Sequence, residues 1–176
     1  MNLAVAFLVA VVCFVADQAS KWWVLDVLDL RTRFEIDVNA YLDLVLAYNR
    51  GINFGLFAGS GPEQQWALAG FATAISLVLA IWSWRTKDWR IAASCGLVIG
   101  GALGNALDRI TEGAVIDFIN VECCGFQNPY AFNIADTTIF VGALALALVA
   151  WREPEDDPGD ATKSKTEGAG ASDNAG

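Results

Sequence analysis

Four long apolar stretches dominate the chain, at about residues 3–24, 65–84, 91–107 and 134–151. Each has roughly the 17–25 residues that a helix needs to cross a bilayer. The pattern predicts a membrane all-α protein of four transmembrane helices. If the stretches cross in turn, the end of the first, the start of the second, the end of the third and the start of the fourth share one side. The strongly polar residues collect there: Asp17, Lys21, Asn49, Asn105, Asp108, Arg109, Asp117, Asn133 and Asp136. Ionisable groups at membrane depth cost several kcal/mol and persist mainly in a site, a pathway or a pairing network.

Between the first two stretches the period changes to two. Phe34, Ile36 and Val38 alternate with Arg33, Glu35 and Asp37, and Leu42, Leu44 and Leu46 alternate with Tyr41, Asp43 and Val45. This predicts a β-hairpin at about residues 31–48, turning at Asn39-Ala40. A third strand is expected at 114–121, which would complete a small extracytoplasmic β-sheet over the helices. Residues 51–62, rich in glycine and holding Phe54, Leu56 and Phe57, read as a short surface helix or a flap. Arg85, Lys87 and Arg90 crowd the link between the second and third stretches, and Arg152 follows the fourth. That side reads as cytoplasmic and carries both termini, so the polar residues face outward. Residues 1–152 form the membrane domain, and residues 153–176 are expected to be a disordered, acidic cytoplasmic tail.

Composition supports this picture. A 176-residue chain that is 55% hydrophobic and 18% charged, with its apolar residues in long runs, suits one integral membrane domain. All seven tryptophans fall at or just beyond the ends of the stretches, where amphipathic rings sit at headgroup level. Of the net charge of −9, the tail accounts for −5, with seven acids against Lys163 and Lys165. The remaining −4 makes a nucleic-acid partner unexpected. The first stretch lacks a basic flank and a good cleavage site at Phe14-Val15-Ala16, so it reads as a retained helix. Cys13 and Cys95 lie in apolar spans, Cys123 and Cys124 are neighbours, and there is no histidine, so neither a metal site nor a cofactor is expected.

Spacing then sorts the polar residues. Asp17 and Lys21 are four apart on one helical face and can pair. Gly96, Gly100 and Gly104 form a stripe that admits a neighbouring helix. Asn105, Asp108 and Arg109 follow at the outer end of the same stretch, with Asp108 and Arg109 read as a buttressing pair. Asp136 opens the fourth stretch without a basic neighbour, one turn after Asn133, and could also be a helix N-cap. Asp117 lies in a strand-like apolar run with no turn signal around it. Without histidine there is no Ser-His or Cys-His nucleophile, and no phosphate-binding loop is present. Paired aspartates sharing one proton could hydrolyse a peptide bond, and an acidic ion pathway remains equally open at this point.

The motifs narrow the choice. Asp17-Gln18-Ala19-Ser20-Lys21, Asn49-Arg50-Gly51 with Phe54, the run from Gly100 to Arg109, Val115-Ile116-Asp117-Phe118 and Phe132-Asn133-Ile134-Ala135-Asp136 occur in that order. In these the chain resembles the bacterial lipoprotein signal peptidases (type II, prolipoprotein signal peptidases) up to about Trp151. The resemblance implies an intramembrane aspartic endopeptidase. Its partners would be diacylglyceryl-modified prolipoproteins, cut just before the lipidated cysteine, and membrane lipids, and it would work as a monomer in the bacterial inner membrane. Asp117 and Asp136 would be the catalytic pair. Asn49, Gly51, Asn105, Asp108, Arg109 and Asn133 would surround them, with Asp17 and Lys21 in support. Ile52-Asn53 departs from the small residues expected before Phe54. The rival readings are a small ion or proton transporter using the outer acidic cluster, and a non-catalytic assembly factor.

Overall fold

The computed structural model describes residues 2–51, 62–122 and 128–152. Most of the expected flap, Ile52-Asn53, Cys123-Cys124 and the acidic tail lie outside the described residues. Helix α1 (Asn2–Trp22) passes through a wider π-type turn (Trp23–Val27) to the short α2 (Leu30–Arg33). Strands β1 (Glu35–Asn39) and β2 (Leu42–Asn49) follow, then α3 (Pro62–Arg85) and α4 (Trp89–Thr111). Strand β3 (Val115–Val121) and α5 (Ile134–Arg152) complete the described chain. The four expected membrane helices are present, each within a few residues of its sequence bounds. Three are long and apolar enough to cross a membrane by length and composition, and the apolar part of the fourth, Ile134–Val149, is shorter.

Asn2 donates its side-chain amide to the Thr86 carbonyl at 2.9 Å, which puts the start of α1 and the α3–α4 link at one end of the bundle. Helix α4 is the centre. Within its most apolar window 67% of residues are buried, against 17% for α1 and for α3, and it packs on α1, α3 and α5. Glycine makes this approach possible. A Cβ added at Gly96 or Gly100 would lie 2.5 Å from the carbonyl oxygen of Ala6 or Ala10 on α1. On α5, Gly142 is pressed in the same way against Val98 and Leu97. The outer helices leave Phe7, Leu8, Phe71, Val78 and Phe140 exposed, as lipid-facing side chains should be, and all seven tryptophans are exposed as well.

The sheet is antiparallel in the order β1-β2-β3. Val24, Leu25 and Leu30 from the turn and α2 pack against Ile116 and Phe118 from β3, which seats the sheet on the end of the bundle. The hairpin turns at Ala40-Tyr41, one residue later than expected, because Asn39 still pairs with Leu42 and its side chain accepts from the Tyr41 amide at 2.9 Å. Strand β2 also runs on to Asn49. The pairing shifts between Leu44 and Ala47, and that irregularity interrupts the period-two pattern that marked the strand in the sequence.

These contacts predict that Gly100→Ala forces α1 away from α4 and destabilises the protein by about 1–3 kcal/mol. Gly70 has open space around its missing Cβ, so Gly70→Ala in the same helical bundle is expected to be neutral or stabilising by up to about 1 kcal/mol. Thermal unfolding in detergent micelles reads both.

Candidate active site

The polar residues at the sheet end form two connected layers. In the deeper one Lys21 is 3% exposed, between Asp17 at 0% and Asp108 at 3%. Its Nζ lies 2.7 Å from Asp17 Oδ2 and 2.6 Å from Asp108 Oδ2. One cation with two carboxylates would be unfavourable here without further donors. They are supplied. The Ala135 amide donates to Asp17 Oδ1 at 2.9 Å, the Ile116 amide to Asp108 Oδ2 at 3.2 Å, and Gln18 Nε2 to Asp108 Oδ1 at 3.0 Å. A Cβ at Gly104 would lie 2.6 Å from Asp17 Oδ2, so the end of the glycine stripe makes room for a carboxylate as well as for a helix.

Two asparagines connect this layer to the next. Asn105 Oδ1 accepts from Lys21 Nζ at 3.4 Å and from Asn133 Nδ2 at 3.1 Å, while Asn105 Nδ2 donates to Asp136 Oδ1 at 2.8 Å. Asn133, fully buried, donates from Nδ2 to Asp117 Oδ1 at 2.8 Å. Its Oδ1 accepts from the Asp136 amide at 2.8 Å, and the Asn133 amide donates back to Asp136 Oδ2 at 3.4 Å. That reciprocal pattern is a capping box. Asn133 is therefore the N-cap, and Asp136 is its partner three residues on.

Asp117 is held from both sides, since Asn49 Nδ2 donates to its Oδ2 at 3.1 Å from the end of β2. Asn49 Oδ1 in turn accepts from the Gly51 amide at 3.0 Å, and Gly51 takes φ +96°, a conformation glycine adopts readily. Asp117 is 3% exposed, and burial, followed by the negative charge of Asp136, raises its pKa to about 6. The bonds from Asn49 and Asn133 and the charge of Lys21 oppose the shift. The carboxyl borders a cavity of about 760 Å³ lined also by Tyr48, Asn49, Arg50, Arg109 and Tyr130.

One expectation is corrected. Asp108 pairs with Lys21 of α1 and not with Arg109. Neighbouring residues on a helix point about 100° apart, so Asp108 faces α1 while Arg109 turns to the cavity. Arg109 Nη1 donates to the Asn105 carbonyl at 3.1 Å, and its buried Nε has no partner among the described residues. Gln18 belongs to the first motif, but nothing in the sequence assigns it a role of its own. Gln65 was counted only as the first residue of an apolar stretch. Among the described residues the carboxylates grouped closely enough to hold a metal are Glu35, Asp37 and Asp43. They lie toward the turn of the hairpin, two of them exposed, where acidic side chains need no ion.

The fold is that of a polytopic membrane protein with a known architecture. A solved bacterial membrane enzyme, determined in meso at 2.3 Å resolution, superposes with a TM-score of 0.69 at 22% identity, over 86% of this chain and 90% of that one. A second, at 1.9 Å, gives a TM-score of 0.68 over 85% and 94%. At the level of sequence, the model of the signal peptidase (SPase) II family matches residues 9–152. The lipoprotein signal peptidase of Rhodopseudomonas palustris strain TIE-1 is 44% identical over 142 residues, 79% of this chain and 87% of that protein. The lipoprotein signal peptidase of Methylocella silvestris is 38% identical over 165 residues, 94% of each. The chain belongs to the signal peptidase II family.

The deeper layer predicts a specific weakness. Lys21→Met keeps most of the length of the side chain and removes the cation between two buried carboxylates, which is expected to cost about 3–5 kcal/mol. Arg109→Ala, which breaks no ion pair among the described residues, should lower the unfolding temperature much less. Parallel thermal melts of the two variants make the comparison.

Proposed function

We propose that this protein is an aspartic endopeptidase that removes the signal peptide from diacylglyceryl-modified prolipoproteins, cutting just before the lipidated cysteine. The observation that carries the reading is the asparagine-tethered pair: Asp117 and Asp136, from a strand and a helix, are bound to the adjoining amides of Asn133 and Asn105, and Asp117 borders a large cavity. Signal peptidase II membership supports the substrate class. The transporter alternative gains no support from the family or from the relatives, which are named as peptidases.

In this reading Asp117, the more buried of the two, holds the shared proton and polarises the scissile carbonyl. Asp136, only half-buried, takes a proton from a water, and the resulting hydroxide adds to the carbonyl carbon. Collapse of the tetrahedral intermediate breaks the C–N bond, and the amine of the lipidated cysteine leaves with the proton that Asp136 took from the water. Arg109 stands beside the reacting centre. The basic link at Arg85, Lys87 and Arg90 argues for a cytoplasmic α3–α4 end and an extracytoplasmic site, level with the headgroups where a diacylated cysteine would be held. The membrane domain, residues 1–152, would act as a monomer in the inner membrane, with the acidic tail dispensable.

Asp117→Asn and Asp136→Asn are each expected to lower cleavage of a purified diacylglyceryl-modified precursor by roughly a thousandfold or more, with the double variant little worse. Substantial turnover by either single variant would remove that residue from the mechanism. The pH dependence supplies a second check. With Asp117 as the acid, kcat/KM falls as pH rises through about 6, where the free enzyme gives up that proton. The matching limb of kcat should lie higher, because bound substrate displaces water and disfavours the charged carboxylate further. A flat profile from about pH 5 to pH 8 would refute the shared-proton assignment.

A further inference from the structure

The amide that reaches Asp117 from β2 is itself held from below by the first turns of α3. Gln65 is 5% exposed, and its Nε2 donates to the Arg50 carbonyl at 2.7 Å. A carbonyl can only accept, so the side-chain nitrogen must face it. One turn further along, Leu68 lies under Gly51, where a Cβ would come within 2.7 Å of its Cδ1. Gly51 therefore meets two demands, the positive φ of the turn and contact with α3. Among the described residues, helix α3 packs mainly on α4 and α1 and makes no extensive contact with the sheet, so the Gln65 bond is a discrete tie between that helix and the end of β2.

We propose that Gln65, with Leu68 beside it, is a positioning residue that holds the turn at residues 49–51 so that Asn49 stays bonded to Asp117. The path is continuous. Gln65 fixes the Arg50 carbonyl, the Gly51 amide binds Asn49 Oδ1, and Asn49 Nδ2 donates to Asp117 Oδ2. A residue with no contact to the carboxyl thereby sets one of its donors, and displacements of about 1 Å at such a group can cost about a hundredfold in rate. The inference rests on Asp117 being one of the reacting carboxyls. The charged groups facing Asp117 are Asp136 from α5, Lys21 from α1 and Arg109 from α4, with Arg50 on the same cavity wall. None of them is altered in the test.

The experiment compares the wild type with Gln65→Leu, Asn49→Ala and the double variant, using the diacylglyceryl-modified precursor across a pH series. Gln65→Leu is expected to lower kcat about tenfold while KM changes less than about twofold. Its falling limb of kcat/KM should move to higher pH, because a donor to the charged form of Asp117 is lost. Asn49→Ala should move the limb in the same direction, and the double variant should be no worse than Asn49→Ala alone. Losses that multiply, or a limb that stays in place while kcat and the unfolding temperature fall, would make Gln65 merely structural and overturn the proposal. If Gln65→Leu does not fold, Gln65→Met, which keeps the length and lacks the donor, takes its place. Isotope-edited infrared titration of Asp117 reads the same shift without turnover. An inactive wild type would overturn the peptidase reading, whereas an active wild type with multiplying losses would overturn this inference alone.

Discussion

The constraint on which the site depends is the burial of Lys21 between two carboxylates at the end of a membrane bundle. Asp17 and Asp108 come from different helices, and neither can be desolvated without the cation. The triad also needs the Ala135 amide at the start of α5, the Ile116 amide of β3 and the Gln18 side chain. Four elements must therefore be in register before the ions are satisfied. Each of these bonds is directional, so they fix the relative height and rotation of the elements in a way that the lipid-facing apolar surfaces cannot.

Small residues on α4 are what allow the triad to form. Gly96 and Gly100 bring α1 close enough for Lys21 to meet Asp108, and Gly104 leaves the volume that the Asp17 carboxylate fills. Asn105, one residue beyond Gly104, accepts from Lys21 and donates to Asp136. The stripe, the Asp108 member of the triad and the Asn105 donor to Asp136 thus lie along one helix, and a shift of α4 would disturb all of them together.

Much of this was legible in the sequence, for definite reasons. Long apolar runs and a local period of two gave the four helices and three strands, and the alternation of spans gathered the polar residues at one end. Asp17–Lys21 was legible because both partners lie on one helix. The Asp108 partner was not, since sequence spacing shows only neighbours along the chain, and the nearest basic residue, Arg109, points another way. Gln65 and Gln18 escaped for a related reason: an amide at the edge of an apolar stretch looks like headgroup-level polarity until its acceptor, on a distant segment, is known. The extension of β2 to Asn49 was hidden by the irregular pairing between Leu44 and Ala47.

Asn133 shows why helix initiation and site geometry cannot be separated here. Its oxygen caps α5 by accepting the Asp136 amide, and its nitrogen donates to Asp117. The side chain can do both only when the helix begins at Ile134 and β3 lies alongside, with the Phe132 carbonyl accepting from the Phe118 and Ile119 amides. Fraying of the first turn would release the cap and the carboxyl together. The asymmetry between the carboxyls follows from the same arrangement, because Asp117 lies in a stretch of β3, residues 115–118, that is buried throughout, whereas Asp136 projects from the first turn of a helix. The raised pKa of Asp117 therefore goes with the burial of β3, and the less enclosed position of Asp136 makes it the more accessible of the two carboxyls.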